Sequence, residues 1–287
     1  MTDIPTSGLV SPNVLAGALG SPDLVIIDIR AAAEGGRQAF EAGHIPGAVH
    51  SDYAADGWRA KVGNAPGMLP PLDHLAELVG RLGVTPPSKV VIVPAGLSAS
   101  DLAAATRVYW TLKLIGHGQQ AILDGGFDGW RTAPGLRVET GPSRPVPASP
   151  YPVVVQQKLR STADATLVAS RSKLATLVDA RSASYFEGQE KAAEAARAGR
   201  IPGAVSRDYS AAFDPSTGRF KPAGELGTLF GPVPNGPVIS YCNTGHTASL
   251  NWFVMSELLE REEVSLYDGS MTDWTQDPER PVEVGAD

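Results

Sequence analysis

One cysteine, Cys242, occurs among the 287 residues of the chain. A lone thiol cannot form an intramolecular disulfide, so the sequence excludes a small disulfide-stapled framework and favours a reducing compartment, the cytoplasm. The same scarcity excludes zinc fingers and iron–sulfur sites, which need several cysteine ligands. The five histidines show no metal-ligand spacing such as H-E-x-x-H. We therefore expect no structural metal.

Positive charge and long apolar runs are also scarce. The chain has 24 lysines and arginines against 31 aspartates and glutamates, a formal net charge of −7, so its overall field repels phosphate backbones. No apolar run approaches the roughly 18 to 20 residues that span a bilayer. The N-terminal segment carries Asp3 and no basic residue before Arg30. These absences predict no nucleic-acid partner, no membrane span and no signal peptide.

An internal repeat is the strongest pattern that the sequence contains. Residues 43–53 read GHIPGAVHSDY and residues 199–209 read GRIPGAVSRDY, with eight of eleven positions identical. Self-similarity at such a long spacing indicates duplicated structural units. A chain of this length has room for two domains of ordinary size.

The repeat predicts two domains, 1–140 and 153–287, joined by a linker. The linker at 141–152 contains five prolines, which disfavour helix and hold the chain extended. Within each half, short β-branched runs such as DLVIID and KVVIVPA alternate with helical patterns such as LDHLAELVGRL. This alternation predicts an α/β fold in which each domain has a mostly parallel sheet flanked by helices.

Both halves place an aspartate and an arginine at the end of a predicted strand, in the pattern D-x-R. The pairs are Asp28 with Arg30 and Asp179 with Arg181. Arg181 is a candidate clamp for an anionic substrate, because the carboxyl ends of parallel strands line the ligand-binding edge of the sheet. Arg30 occupies the same place in the half without a cysteine. That recurrence favours the alternative in which D-x-R binds loops together, and both interpretations stay open.

Cys242 lies where a strand, PVISY, passes into the loop 242–248 and then into an amphipathic helical pattern, SLNWFVMSELLE. At the start of a helix, free N–H groups and the helix dipole favour the thiolate, which is the nucleophilic form. Gly245 permits successive N–H groups to turn inward as an anion nest, and Thr247 is predicted to cap the helix. The competing interpretation is an inert buried thiol, the commoner state of a free cysteine.

The two copies of this loop differ at the cysteine. The residue of the first half that corresponds to Cys242 is Ala95, in VPAGLSASD. One loop therefore carries a thiol and the other does not. This asymmetry predicts one active domain and one catalytically degenerate domain.

The chain resembles the tandem-domain rhodanese sulfurtransferases over nearly its whole length. The resemblance rests on the D-x-R strand ends, the I-P-G-A segments, the cysteine loop and the Y-D-G-S segment at 267–270. It implies two rhodanese-like domains, of which only the second carries the cysteine. It also implies that Cys242 takes the outer sulfur of a donor, becomes a persulfide held by loop N–H groups, and passes the sulfur to cyanide or a thiol. Thioredoxin is a candidate acceptor, and the reaction is expected to need no cofactor. The substrate-binding residues it implies are Asn243, Thr244, Gly245, His246, Thr247 and Arg181.

The residues around the cysteine bear on the choice of donor. Thiosulfate-using members carry basic residues after the cysteine, whereas mercaptopyruvate-using members have a small residue and then a hydroxyl. This chain has Asn243 and Thr244, and the arginine that commonly follows D-x-R by four positions is Tyr185. His246 either lends positive charge to a bound anion or faces solvent. We expect thiosulfate or a similar donor, with 3-mercaptopyruvate as the alternative that the Thr244 hydroxyl favours.

Two other classes of function compete with sulfur transfer as interpretations of the cysteine loop. A cysteine on a phosphate-sized nest also serves protein phosphatases, but their chemistry needs a loop arginine to hold phosphoryl oxygens, and CNTGHTAS has none. A non-catalytic sulfur carrier or interaction module is the other alternative, because an uncharged loop is compatible with weak turnover.

Overall fold

The structure is a computed structural model that describes residues 8–143 and 148–286. Residues 144–147 of the predicted linker lie outside the described residues. The described residues form two compact units. Unit 1 contains the described residues up to Trp58, together with Pro70–Val155 and Phe213–Phe220. Unit 2 contains Arg59–Leu69, Gln156–Ala212 and the described residues from Lys221 onward. Each unit therefore includes a short segment from the other half of the sequence.

The first half of the chain supplies the parallel sheet of unit 1. Its strands are β1 (Leu9–Val10), β2 (Leu24–Asp28), β3 (Val49–His50), β4 (Ala60–Val62), β5 (Ala65–Met68), β6 (Lys89–Val93) and β7 (Gln120–Leu123). Its α-helices are α1 (Pro12–Ala18), α2 (Gly36–Ala42), α3 (Leu72–Arg81), α4 (Ala99–Leu114) and α5 (Gly126–Thr132). The sheet has the order β1-β7-β6-β2-β3 and every pairing in it is parallel. β4 and β5 form a separate antiparallel hairpin.

The second half repeats this arrangement. Its strands are β8 (Thr176–Asp179), β9 (Val205–Ser206), β10 (Phe213–Asp214), β11 (Arg219–Phe220), β12 (Val238–Tyr241) and β13 (Val264–Leu266). Its α-helices are α6 (Ala163–Ser172), α7 (Ala183–Phe186), α8 (Ala223–Phe230), α9 (Ala248–Phe253) and α10 (Ser270–Trp274). The parallel sheet of unit 2 has the order β13-β12-β8-β9. The prediction of an α/β fold with mostly parallel sheets flanked by helices is confirmed.

The strands of these sheets are buried on both faces, which explains their continuous apolar sequences. In β6, residues 90–93 are at most 1% exposed. Equivalent tryptophans, Trp130 in unit 1 and Trp274 in unit 2, are fully buried in the two cores. No helix in the described part of the chain is both long and apolar enough to cross a membrane.

The helix that follows the cysteine loop is present, but the prediction that it is amphipathic is wrong. All of its residues, Ala248–Phe253, are buried, and the chain continues as a π-helical stretch over 254–258. Several polar groups of this helix are hydrogen-bonded inside unit 2, while the buried Asn251 Oδ1 is not. Asn251 Nδ2 donates to the carbonyl of Arg207 at 2.7 Å, and Ser249 Oγ donates to the carbonyl of His246. The sequence pattern did not show which of these polar residues find internal partners.

His117 is a buried histidine beside the described end of the linker. Its Nδ1 lies 3.1 Å from the Tyr151 hydroxyl and its Nε2 lies 3.2 Å from the carbonyl of Gln119. A carbonyl only accepts, so Nε2 carries the proton of the neutral ring and Nδ1 accepts from Tyr151. Burial lowers the pKa of His117, despite hydrogen bonds to backbone groups that raise it.

We predict that His117 makes the fold acid-sensitive. The pKa is lower in the folded than in the unfolded state, so its contribution is present at neutral pH and is lost as the pH falls below about 6.5. His117→Gln should therefore flatten the loss of stability between pH 7.5 and pH 5. Urea unfolding of both proteins at several pH values measures this. An equally steep pH dependence in the variant would contradict the prediction.

Candidate active site

A buried ion pair organises the carboxyl end of the sheet in unit 1. Arg30 Nε lies 3.0 Å from Asp28 Oδ1 and Arg30 Nη2 lies 2.7 Å from Asp28 Oδ2. The same Nη2 donates to the carbonyl of Gly43 at 2.8 Å. Because Gly43 begins the repeated G-x-I-P-G-A segment, the pair binds the end of β2 to the start of that segment.

Unit 2 contains the same ion pair. Arg181 Nε lies 2.9 Å from Asp179 Oδ1, its Nη2 lies 2.5 Å from Asp179 Oδ2, and Nη2 also donates to the carbonyl of Gly199 at 2.8 Å. Burial lowers the pKa of Arg181, but its hydrogen bonds to Asp179 and the charge of that carboxylate outweigh burial, so the pKa lies above its ordinary value. The guanidinium is therefore a permanent cation.

Arg181 also reaches the cysteine loop. Its Nη1 lies 3.5 Å from Asn243 Oδ1, and its guanidinium carbon lies 6.0 Å from the centre of the Tyr241 ring. Only 5% of Arg181 is exposed, and two of its nitrogens are engaged by Asp179 and Gly199. Its contacts with Asp179 and Gly199 match those of Arg30 with Asp28 and Gly43, whereas Arg30 Nη1 donates to the carbonyl of Ala39. The geometry favours the interpretation in which D-x-R binds loops together over a direct clamp on substrate.

The cysteine loop folds around the hydroxyl of Ser270. The backbone N–H groups of Cys242 and Gly245 both donate to Ser270 Oγ, at 3.0 Å and 3.1 Å. The hydroxyl proton has two acceptors nearby, the carbonyl of Tyr267 at 2.8 Å and the sulfur of Cys242 at 3.9 Å. Gly245 has a φ of 68°, the left-handed conformation for which the sequence analysis required glycine.

Ser270 was not singled out by the sequence analysis, although a signal for it exists. Its φ is 51°, a conformation that costs a non-glycine residue of order 1–3 kcal/mol and that concentrates at functional sites. The corresponding residue of the first half is Gly126, with a φ of 58°. A serine retained where the other copy of the repeat has glycine marks the hydroxyl as functional.

The carbonyl groups of the loop are held from the other side by α10. The backbone N–H of Met271 donates to the carbonyl of Cys242, and that of Thr272 donates to the carbonyl of Asn243, both at 3.0 Å. These bonds fix the first two peptide units of the loop. The sulfur of Cys242 thus lies on a rigid frame, and the residue is 2% exposed.

The structure corrects the role predicted for Thr247. This residue stands at the N-cap position of α9, but its φ of −70° and ψ of −27° are helical and its side chain makes no capping hydrogen bond. A capping side chain needs an extended backbone to reach the N–H groups of the first turn. Thr244 and His246 are half-buried in the same loop, and the carbonyl of His246 accepts from the N–H of Ser249.

The hydroxyl of Tyr209 lies within electrostatic range of Cys242. Burial, followed by the charges of Asp208 and of Cys242, raises the pKa of the Tyr209 hydroxyl. Asp208 and Tyr209 recur in the first half as Asp52 and Tyr53, so the repeat alone does not distinguish this tyrosine from its counterpart.

The loop of the first half also gathers N–H groups, but an internal carboxylate fills it. The N–H groups of Gly96, Leu97 and Ser98 donate to the carboxylate of Asp101 at 3.3, 2.8 and 3.0 Å. Burial raises the pKa of Asp101 and these hydrogen bonds lower it, with burial the stronger effect.

The prediction that Ala95 corresponds to Cys242 is wrong: Val93 pairs with Asp28 as Tyr241 pairs with Asp179, so Pro94 stands at the place of Cys242. Asp101 then corresponds to Ser249, and the cysteine loop has no carboxylate at that place.

Comparisons with known proteins agree with this duplicated site. The family model described as "Rhodanese-like domain" matches residues 11–133 and 162–277. The thiosulfate sulfurtransferase of Corynebacterium glutamicum is 32% identical over 96% of this chain and 90% of that protein. The 3-mercaptopyruvate sulfurtransferase of Escherichia coli is 29% identical over 97% of this chain and 98% of that protein. The crystal structure of SseA from Escherichia coli superposes with a TM-score of 0.78 and 28% identity, covering 92% of this chain and 99% of that one.

We predict that Arg181→Ala destabilises the protein by about 3–5 kcal/mol, because it leaves the buried carboxylate of Asp179 without its partner. Arg30→Ala is the matched control, since Asp28 loses the same contacts. Both free energies of unfolding should fall by similar amounts in urea titrations. A loss confined to one variant would show that the two pairs are not equivalent.

We predict that a thiol introduced by Pro94→Cys, in a Cys242→Ser background, reacts with iodoacetamide more slowly than Cys242 does in the native chain. The Asp101 carboxylate already occupies the N–H groups that would stabilise a thiolate. Adding Asp101→Asn removes that charge and should speed the reaction. Equal alkylation rates for Pro94→Cys and the native thiol, measured by mass spectrometry, would refute this account of the first-half loop.

Proposed function

The chain belongs to the rhodanese-like domain family, and from that premise we propose that it is a sulfurtransferase that moves a sulfane sulfur from thiosulfate to cyanide or a thiol through a persulfide on Cys242. One observation carries the proposal. The cysteine lies at the carboxyl end of β12, where its own N–H, the N–H of Gly245 and the Ser270 hydroxyl converge, while the equivalent loop of the first half is closed by Asp101.

The proposed reaction has two displacement steps. In the first, the Cys242 thiolate attacks the outer sulfur of thiosulfate, a new S–S bond forms, and the S–S bond of the donor breaks with its electron pair leaving on sulfite. In the second, the acceptor attacks the outer sulfur of the persulfide. With cyanide the products are thiocyanate and the original thiolate. Charge balances in both steps, and no redox partner is required.

The described residues have distinct parts in this cycle. The N–H groups of Cys242 and Gly245 hold Ser270 Oγ at 3.9 Å from the sulfur, where the hydroxyl proton can turn toward the negative charge that passes from thiolate to persulfide. Arg181 contributes through its contact with Asn243 and its fixed positive charge. Thr244, His246 and Thr247 remain proposed donor-binding residues at the half-buried edge of the loop.

A second donor, 3-mercaptopyruvate, is favoured by Thr244. This residue places a hydroxyl two positions after the cysteine, as the mercaptopyruvate pattern requires. The thiolate would attack the donor sulfur, the C–S bond would break, and the thiol proton would end on the methyl carbon of pyruvate. A hydroxyl beside the donor can relay that proton.

The proposed acceptor in the cell is a protein dithiol of the thioredoxin type. A persulfide is discharged by a second thiol, and Cys242 is the single cysteine of the chain, so the resolving thiol must come from a partner. A thiol that must stay reduced between cycles fits the reducing cytoplasm.

The test compares thiosulfate and 3-mercaptopyruvate as donors, with cyanide and then a dithiol as acceptors. We predict that native protein gains one sulfur by mass spectrometry and turns over, and that Cys242→Ser, which is nearly isosteric, does neither while its thermal unfolding is unchanged. Turnover by Cys242→Ser would refute the proposal. A persulfide that forms but passes to no acceptor would instead identify a sulfur carrier.

A further inference from the structure

The hairpin Arg59–Leu69, which contains β4 and β5, belongs to unit 2 although it lies in the first half of the sequence. The N–H of Leu69 donates to Asp268 Oδ2 at 2.7 Å. Asp268 is 1% exposed, and its other oxygen accepts from Arg160 Nε at 2.8 Å. The end of the hairpin is therefore anchored by the buried carboxylate of Asp268, whose charge Arg160 neutralises. Asp268 lies two residues before Ser270 in the sequence.

Gly67 brings the backbone of this hairpin directly against the cysteine loop. Its φ is 83°, and a Cβ placed on it would lie 2.3 Å from the carbonyl oxygen of Thr244. Contacts that close do not occur for a real Cβ, so one of the two backbones would have to move. Glycine is required here both by the conformation and by the approach.

The carbonyl of Thr244 belongs to the same peptide unit as the N–H of Gly245. That N–H is the one that donates to Ser270 Oγ beside the sulfur of Cys242. A peptide unit is planar, so displacing its oxygen turns its N–H as well. The contact at Gly67 therefore limits the orientation of an N–H group in the site.

Unit 1 contains the same arrangement around a loop without a thiol. The hairpin Phe213–Phe220 belongs to unit 1, and the N–H of Phe220 lies 3.4 Å from Asp124 Oδ1. Gly218 has a φ of 69°, and a Cβ on it would lie 2.3 Å from the carbonyl oxygen of Gly96. The chain thus supplies an internal control with matched backbone strain.

We propose that the hairpin Arg59–Leu69 is a positioning element for sulfur transfer: through Gly67 it holds the Thr244–Gly245 peptide so that the Gly245 N–H stays on Ser270 beside Cys242. The inference rests on the proposed function of Cys242. It adds to that function a segment distant in sequence that sets the reactivity of the thiol without touching the sulfur.

The first test compares Gly67→Ala with Gly218→Ala. Each adds a methyl group at a left-handed residue against a loop carbonyl, so both should lower the melting temperature similarly. Displacement of catalytic groups by about 1 Å can cost on the order of 100-fold in rate. We expect Gly67→Ala to slow the single-turnover uptake of sulfur from thiosulfate by about tenfold to 100-fold. Gly218→Ala should remain within about twofold of the native rate. Equal rates for the two variants, or a native rate for Gly67→Ala, would overturn the proposal.

A second readout separates this inference from the proposed function. The rate at which iodoacetamide alkylates Cys242 across pH 6 to 9 reports the thiol alone, and we expect its profile to shift in Gly67→Ala and not in Gly218→Ala. If the native protein transfers no sulfur, the proposed function fails, while this profile still tests the hairpin. An unchanged profile in Gly67→Ala would count against the positioning role.

If Gly67→Ala does not fold, Asp268→Asn replaces it as the test variant, with Asp124→Asn as the control. Asparagine retains an acceptor for the hairpin N–H but removes the charge that anchors Arg160. We expect slower sulfur uptake and an altered alkylation profile in Asp268→Asn alone. Indistinguishable behaviour of the two variants would refute the anchoring role of Asp268.

Discussion

The buried aspartate–arginine pair at the end of β2 and of β8 is the interaction on which both units depend. In each, the arginine guanidinium neutralises the carboxylate and also donates to the glycine carbonyl that begins the repeated segment, Gly43 or Gly199. The backbone N–H of the arginine adds a further bond to the carboxylate. Charges in such a position are tolerated only when their hydrogen bonds are complete. D-x-R and G-x-I-P-G-A recur together because they are two ends of one contact.

The loops that follow this ion pair differ in the charge of the group that accepts their N–H hydrogen bonds. In unit 1 the N–H groups of residues 96–98 are saturated by Asp101, a charge supplied by the chain itself. In unit 2 the residue at that place is Ser249, and the hydroxyl of Ser270 takes the N–H groups of Cys242 and Gly245. A hydroxyl accepts from the loop without adding negative charge, so the site retains its capacity to stabilise an anionic sulfur. The loop of unit 1 is therefore closed by its own carboxylate, and the missing cysteine is only part of the difference between the two loops.

The repeat and the chemistry of the thiol could be predicted from sequence because their signals are local. Eight identities in an eleven-residue segment, D-x-R at two strand ends, and alternating strand and helix patterns define the fold class. The strand-to-helix position of Cys242 and the glycine three residues later indicate a loop that binds an anion. Local signals gave wrong predictions at two places. The cap predicted at Thr247 is absent because capping depends on backbone angles, and the helix after the loop is not amphipathic because neighbouring segments cover all its faces.

Tertiary structure decided what surrounds the sulfur. Ser270 lies 28 positions after Cys242, and Gly67 lies far before it, yet both meet the same loop because the carboxyl ends of parallel strands and a hairpin from the other half converge there. The role of Arg181 was equally open until its hydrogen bonds could be compared with those of Arg30. By itself the sequence determined the duplicated α/β fold and the family, and it singled out Cys242 as the proposed nucleophile, since these follow from short-range patterns. Only the tertiary structure assigned neighbours to the thiol, because hydrogen bonds and close backbone contacts between distant segments leave no periodic trace in the chain.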